Sequence, residues 1–188
     1  MGWIQTYGDI ARPDLPKPKC RVKLVCGAPA SGKSTYVKRY AAPDDIVIDI
    51  DAIGRERGFG RDRPDSKAGD LLRERNARLS ALSREPPDRV AWVIMTAPSA
   101  SLRRWWCETL GVRPIDMLLL NASREELQRR IMADPSRRSV QKKQFALVNK
   151  WLTRERDDDP GILKPGCDQF GTPLDPMHPW NREMSGND

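Results

Sequence analysis

The segment Gly27-Ala28-Pro29-Ala30-Ser31-Gly32-Lys33-Ser34-Thr35 carries the spacing Gly-x4-Gly-Lys-Ser/Thr. Each part has a chemical reason. Glycines let the backbone curl so that several N–H groups point inward at phosphate oxygens. A helix beginning at Lys33 would add the positive end of its dipole. Lys33 would reach the β- and γ-phosphates as a point charge, and the Ser34 hydroxyl would ligate Mg²⁺. The segment is therefore expected to hold ATP or another nucleoside triphosphate with Mg²⁺.

Asp49 and Asp51 follow at the end of an apolar run, Ile46-Val-Ile-Asp-Ile-Asp51. On a strand, residues two apart share a face. At the carboxyl end of a parallel strand that face meets the ligand crevice. Asp49 is expected beside the Mg²⁺ water shell. Asp51, beyond the strand end, is placed to take a proton from an attacking hydroxyl. Either carboxylate could instead cap the following turn.

Phosphoryl transfer needs positive charge around the migrating group. Arg129 and Arg130 end one helical segment, and Arg137 and Arg138 lie in a short break before the last. Such a break reads as a mobile lid. Arg130, Arg137 and Arg138 are its candidate catalytic arginines, with a basic helix end as the alternative. A second cluster comprises Arg55, Arg57, Arg61 and Arg63, followed by Arg73, Arg75 and Arg78. A phosphorylated acceptor would be clamped from this cluster, with Arg55, Arg75 and Arg78 as the candidates.

The elements that must hold these residues can be read from pattern. Arg21–Cys26, Ile46–Asp51, Val90–Thr96 and Ile115–Leu120 read as strands. Helices are expected from Lys33 to before Pro43, at Ser66–Glu85, at Ser99–Leu110 and from the capping box Ser123-Arg-Glu-Glu126 to Ala133. A last helix covers 139–155, and 54–66 reads as a loop. Leu71, Leu72, Leu79 and Leu82 form one inward stripe, and Phe145, Val148, Trp151 and Leu152 another. Alternating strands and helices imply a three-layer α/β fold around a parallel sheet of four to five strands. Residues 1–20 read as an irregular leader, 21–156 as the domain, and 157–188 as an acidic, Pro/Gly-rich tail.

Composition narrows the partners. The net charge of +7 divides into −5 on residues 157–188 and +12 on the rest, so the body suits a polyanion such as DNA or RNA. No apolar run is long enough to span a bilayer, which leads to a cytoplasmic expectation without membrane contact. Cys20, Cys26, Cys107 and Cys167 lack zinc or disulfide-scaffold spacing and read as reduced thiols. His178 is the one histidine, so a triad would hang on it alone. Trp105 and Trp106 read as helix packing, with base stacking as the alternative.

The order strand–GAPASGKST–helix, VIDID, VIMTAPSASLRRWW, LLLNASREELQRR and an arginine-bearing lid resembles the P-loop kinases of the polynucleotide-kinase-like type. Short phage proteins of the AAA ATPase group share this order, and a phage-encoded chain would act in the host cytoplasm. The resemblance covers about residues 21–155. It implies that Asp51 is the general base, that Arg55 is nearest the acceptor-binding arginine, and that Arg130 is a lid arginine near the nucleotide. Small-alcohol kinases such as shikimate kinase also look similar through their Asp-x-Asp. The aspartate that often ends the third strand in such proteins is Thr96 here, and Gly54 displaces the acceptor arginine. Three readings follow: a kinase acting on a hydroxyl of a nucleic acid, nucleotide or small alcohol; a nucleotide-dependent DNA-binding ATPase with water as the acceptor; and a nucleotide-sensing interaction protein.

Overall fold

The computed structural model describes residues 9–62 and 64–154, of Arg154 the backbone only. The expected tail 157–188, with Cys167 and His178, lies outside the described residues, as do Arg63 and the first eight residues of the leader.

Four strands, β1 (Arg21–Gly27), β2 (Ile46–Asp49), β3 (Val90–Met95) and β4 (Met117–Leu120), form one sheet in the order β2-β3-β1-β4. Every pairing is parallel. The register sets Cys26 beside Met95, Gly27 beside Leu120 and Asp49 beside Ile94. All four carboxyl ends therefore reach one edge, where a parallel sheet opens its ligand crevice.

Side chains alternate across the sheet, as strand geometry requires. Val25, Trp92, Ile94, Leu118 and Leu120 face helix α1 (Lys33–Tyr40), which adds Tyr36 and Val37. Val22, Leu24, Cys26, Ile48, Val93, Met117 and Leu119 face the other way. On that side they meet α3 (Ala68–Ala81), α4 (Ala100–Leu110), α5 (Arg124–Ala133) and α6 (Gln141–Arg154). The result is the expected three-layer α/β architecture with a four-stranded parallel sheet. Both inward stripes form: Leu71, Leu72, Leu79, Leu82, Val148 and Trp151 are buried, and Phe145 and Leu152 pack at the core's margin. Among the described residues, no helix is long and apolar enough to cross a membrane.

The main departure is at the paired carboxylates. β2 stops at Asp49, and Ile50–Glu56 forms a helix, α2, where a strand end and a loop were expected. Asp49 causes the switch: Asp51 N–H donates to its Oδ1 at 3.0 Å, making Asp49 the N-cap. Ile53 then buries completely, anchoring the turn. Asp51 is thus a first-turn helix residue, and the strand-parity argument applies to Asp49 alone. Gly58, at φ 77, ends the excursion: Gly58 N–H donates to Arg55 O and Phe59 N–H to Gly54 O, both at 2.9 Å.

Smaller departures have local causes. β4 begins two residues late because Pro114–Asp116 forms a 3-10 turn around the Asp116 carboxylate. The leader ends in a helical turn at residues 9–11 and an extended path, with Leu15 on the core and Lys19 N–H donating to Leu82 O at 3.2 Å. The break expected to act as a lid is a 3-10 segment, Pro135–Val140, so the last helix starts at Gln141. The capping box is half made. Ser123 Oγ accepts Glu126 N–H, but the Glu126 carboxylate turns to Arg129 and Arg130.

Candidate active site

The glycine-rich loop joins β1 to α1 at the carboxyl edge of the sheet. Gly27 has φ 154, and a Cβ there would lie 2.5 Å from Leu120 O and 2.6 Å from Ser31 Oγ. Gly32 holds φ 99 as the residue before α1. Both positions need the conformational freedom of glycine. Lys33 Nζ donates to Gly27 O at 2.9 Å and to Ala28 O at 2.7 Å, folding back across the loop. Burial pushes its pKa down to about 8, opposed by the negative charges of Asp49 and Asp51 and assisted by Arg137. Pro29 and Ala30 are half-buried at the turn, and Ser34 and Thr35 are exposed beyond it.

Ser34 Oγ donates to Asp49 Oδ2 at 2.9 Å. Asp49 is 6% exposed, so it closes the loop from below while capping α2 with its other oxygen. Asp51 lies beside this pair at the head of α2, half-buried, with Arg61 Nη1 3.8 Å from its Oδ2. Lys33, Ser34, Asp49 and Asp51 therefore share one crevice.

The arginines expected at the lid separate sharply. Arg130 Nε donates to Glu126 Oε1 at 2.6 Å, and its Nη1 reaches Ala30 O at 3.4 Å, across the loop turn. Arg129 and Arg130 hold the Glu126 carboxyl down at about 2. Arg137 donates to Asp134 Oδ2 at 2.8 Å and to Gln144 Oε1 at 2.7 Å. Burial lowers its pKa, followed by repulsion from Arg61, with Asp134 and Asp51 opposing. It thus lies within electrostatic reach of both Lys33 and Asp51. Arg138 is exposed on the same turn.

The second arginine cluster is dispersed. Arg55 is exposed at the end of α2. Arg75 is 9% exposed; its guanidinium lies 5.1 Å from the Trp106 ring and donates to the Asn76 amide oxygen and Ile10 O. Arg78 pairs with Glu56 at 2.6 Å and Glu74 at 3.1 Å. Arg57 also pairs with Glu74 and Arg73 with Asp70. The residue that does reach the crevice is Arg61. The sequence offered one signal for this: a helix stopped by Gly58 sends the chain back over its own start.

Past β3, Thr96 is exposed at the carboxyl edge of the sheet. Its carbonyl accepts Trp151 Nε1 at 3.1 Å, and Ala97 O accepts from the buried Arg103 at 2.9 Å. Ala97 holds φ 36. The Trp151 and Arg103 side chains thus hold this loop by its carbonyls. Among the described residues, no group of three or more His, Cys, Asp or Glu could hold a metal by itself. A magnesium ion here would share the Ser34–Asp49 pair with phosphate oxygens and water.

The family model described as AAA domain matches residues 22–154. No curated protein sequence matches the chain. Among solved structures, one chain of the Pnkp1/Rnl/Hen1 RNA repair complex aligns with a TM-score of 0.50 at 13% identity, covering 79% of this chain and 52% of that one. This chain thus spans about half the length of that relative. An unliganded sugar kinase from Janibacter sp. HTCC2649 aligns at 18% identity over 88% of this chain and 93% of that one, TM-score 0.49. A gluconokinase from Sinorhizobium meliloti 1021 does so at 18% over 89% and 90%, TM-score 0.48. Likeness at such identities is likeness of fold. With the family match running from the second residue of β1 to the last of α6, the chain belongs to the AAA domain family.

Proposed function

We propose that this protein is an ATP- and Mg²⁺-dependent phosphotransferase that moves the γ-phosphate to a hydroxyl of a nucleic acid or nucleotide. The carrying observation is that Ser34 of the phosphate loop donates to Asp49 at 2.9 Å, and that the helix Asp49 caps sets Asp51 beside this pair. A carboxylate beside a triphosphate cradle, outside the Ser34–Asp49 pair, suits deprotonation of an acceptor better than metal binding.

On nucleotide binding, Lys33 turns from the Gly27 and Ala28 carbonyls to the β- and γ-phosphate oxygens. The Ser34–Asp49 pair fits Mg²⁺, a hydroxyl and a carboxylate being the hard oxygen donors that ion takes, and the bound ion would neutralise phosphate charge. Asp51 accepts the acceptor's proton as its oxygen bonds to the γ-phosphorus and the bond to the bridging oxygen breaks, releasing ADP. Arg130, beside Ala30, and Arg137 stabilise the charge that develops on the transferring group. Arg55 remains the candidate for an anionic group on the acceptor. Arg75 and Arg78 are committed to packing and ion pairs, so we do not assign them to it. The +12 body supports a nucleic acid or nucleotide acceptor, and so does the fold shared with a chain of an RNA repair complex.

A second reading, a small-alcohol acceptor, is favoured by one observation. Arg57, Arg73 and Arg78 are matched by Glu74, Asp70 and Glu56, which leaves the Asp51 side less basic than the sequence count suggests. Labelled ATP offered with 5′-hydroxyl oligonucleotides, nucleosides and small polyols tests both readings. Labelled oligonucleotide or nucleotide supports the first and labelled polyol the second. Label released only to water overturns both and leaves an ATPase.

A further inference from the structure

The loop between α2 and α3 touches the lid at Arg61. Arg61 Nη1 lies 3.8 Å from Asp51 Oδ2, and its Nε donates to Ser136 Oγ at 3.2 Å. Ser136 Oγ in turn donates to Asp134 Oδ1 at 2.6 Å, and Asp134 Oδ2 accepts from Arg137 Nε at 2.8 Å. A continuous polar chain thus runs Asp51–Arg61–Ser136–Asp134–Arg137. Its first member faces the crevice at the head of α2, and its last lies within electrostatic reach of Lys33.

A second bridge joins the same loop to α6, the helix that follows the lid: Lys143 Nζ lies 2.5 Å from Asp65 Oδ1. Its partners are 55% and 81% exposed, so solvent screens it and it contributes little. The Arg61–Asp51 link is the more sheltered of the two, its side chains 28% and 43% exposed. A guanidinium is a rigid planar fork that presents donors in two directions, so one arginine can hold a carboxylate and a hydroxyl together. A lysine in its place supplies one point charge on a flexible stem.

We propose that Arg61 is a positioning residue that joins Asp51 to the lid, so that filling the nucleotide site orders the acceptor loop. The role as a positioner of the base rests on the phosphotransferase reading; the mechanical link between lid and loop does not. When nucleotide draws Arg137 and the lid inward, Ser136 moves with them. Arg61 follows Ser136 and fixes the Asp51 carboxylate and the loop at residues 57–62. An acceptor then meets an oriented base only when the triphosphate is in place, which limits idle transfer to water.

The full-length protein is tested by hydrogen–deuterium exchange with a non-hydrolysable ATP analogue and Mg²⁺. The wild type is expected to gain protection both in the lid, 134–140, and in the loop, 57–62. Arg61→Ala and Ser136→Ala should keep analogue binding and lid protection and lose loop protection. In transfer assays Arg61→Ala should lower kcat about tenfold or more, with the KM for ATP within about twofold, because misplacing a reacting group costs turnover and not nucleotide binding. Arg61→Lys should restore part of kcat through its charge and none of the loop protection. The proposal is overturned if loop protection is absent from the wild type, or survives in both alanine variants. If the wild type transfers phosphate only to water, the phosphotransferase reading falls while the exchange experiment still decides the link.

Discussion

The Ser34 hydroxyl donates to Asp49 Oδ2 at 2.9 Å, locking the phosphate loop to the junction of β2 and α2. The same carboxylate caps α2 through its other oxygen. One side chain thus holds a prospective metal ligand and starts the helix that carries Asp51.

Those two jobs can be separated. Asparagine caps a helix as well as aspartate, so Asp49→Asn should melt close to the wild type. It lacks the anionic charge, and the Mg²⁺-dependent gain in ATP affinity should fall about ten- to hundredfold. Asp49→Ala loses both and should cost about 1 kcal/mol of stability besides. Titration calorimetry with and without Mg²⁺, beside thermal melts, checks both. Unchanged Mg²⁺ dependence in Asp49→Asn would remove Asp49 from the metal site.

Lys33 should show binding and stability moving in opposite directions. Burial lowers its pKa from 10.5 to about 8, so the folded state holds this proton less firmly than the unfolded state does. Keeping the charged form folded therefore costs stability below pH 8, and the cost is relieved as pH rises toward 10.5. Lys33→Ala removes that cost, and its melting temperature at pH 7 should match or exceed the wild type. Its ATP affinity should fall about thirtyfold or more, the usual loss on truncating a sheltered charge contact. A variant that loses stability and affinity together would mean that Lys33 mainly braces the loop.

The phosphate loop, the strand order along the chain and the inward stripes were legible because each rests on local pattern. Gly27 and Gly32 sit where backbone geometry demands them, and Leu79 and Val148 recur at helical spacing on apolar faces. The carboxylates were half legible. VIDID reads as an unbroken strand because Ile50 is as apolar as Ile48, and only the Asp49 side chain, turning back on its own backbone, ends it early. The arginines were least legible, since an arginine's reach exceeds the precision of any boundary drawn from sequence. Arg75, expected at the acceptor, lies beneath Trp106, and Arg61 reaches the crevice because Gly58 turns the chain.

Arg130 and Arg138 should differ in effect. Arg130 is held by Glu126 and reaches Ala30 O on the phosphate loop, whereas Arg138 is exposed on the Pro135–Val140 segment. Arg130→Ala should lower the transfer rate about 10²- to 10³-fold, as loss of one positioned donor does. Arg138→Ala should stay within about threefold of the wild type, as expected of a solvated charge. Single-turnover rates at saturating ATP make the comparison. Equal losses in the two variants would mean that Arg138 also reaches the nucleotide.

Asp116 gives a stability prediction with a defined pH sign. Its carboxylate accepts from Arg21 Nε and Nη2 at 2.9 and 2.6 Å and from Arg113 Nε at 2.5 Å, tying the start of β1 to the start of β4. Burial alone would raise its pKa, but the hydrogen bonds from Arg113 and Arg21 outweigh that, leaving it below the ordinary 3.8. A depressed acid contributes stability above its unfolded pKa and loses it as pH falls through the folded value. Asp116→Asn should therefore be about 2 kcal/mol less stable at pH 7. That is below the usual cost of breaking a buried pair, because the arginine side chains left behind are 34% and 58% exposed and can hydrate. Urea denaturation at pH 7, 5 and 3 should show the gap intact at the first two and narrowing at the third, as the wild-type carboxylate protonates. A gap that stays constant down to pH 3 would mean that Asp116 stabilises this corner through packing and neutral hydrogen bonds, and that its charge contributes nothing.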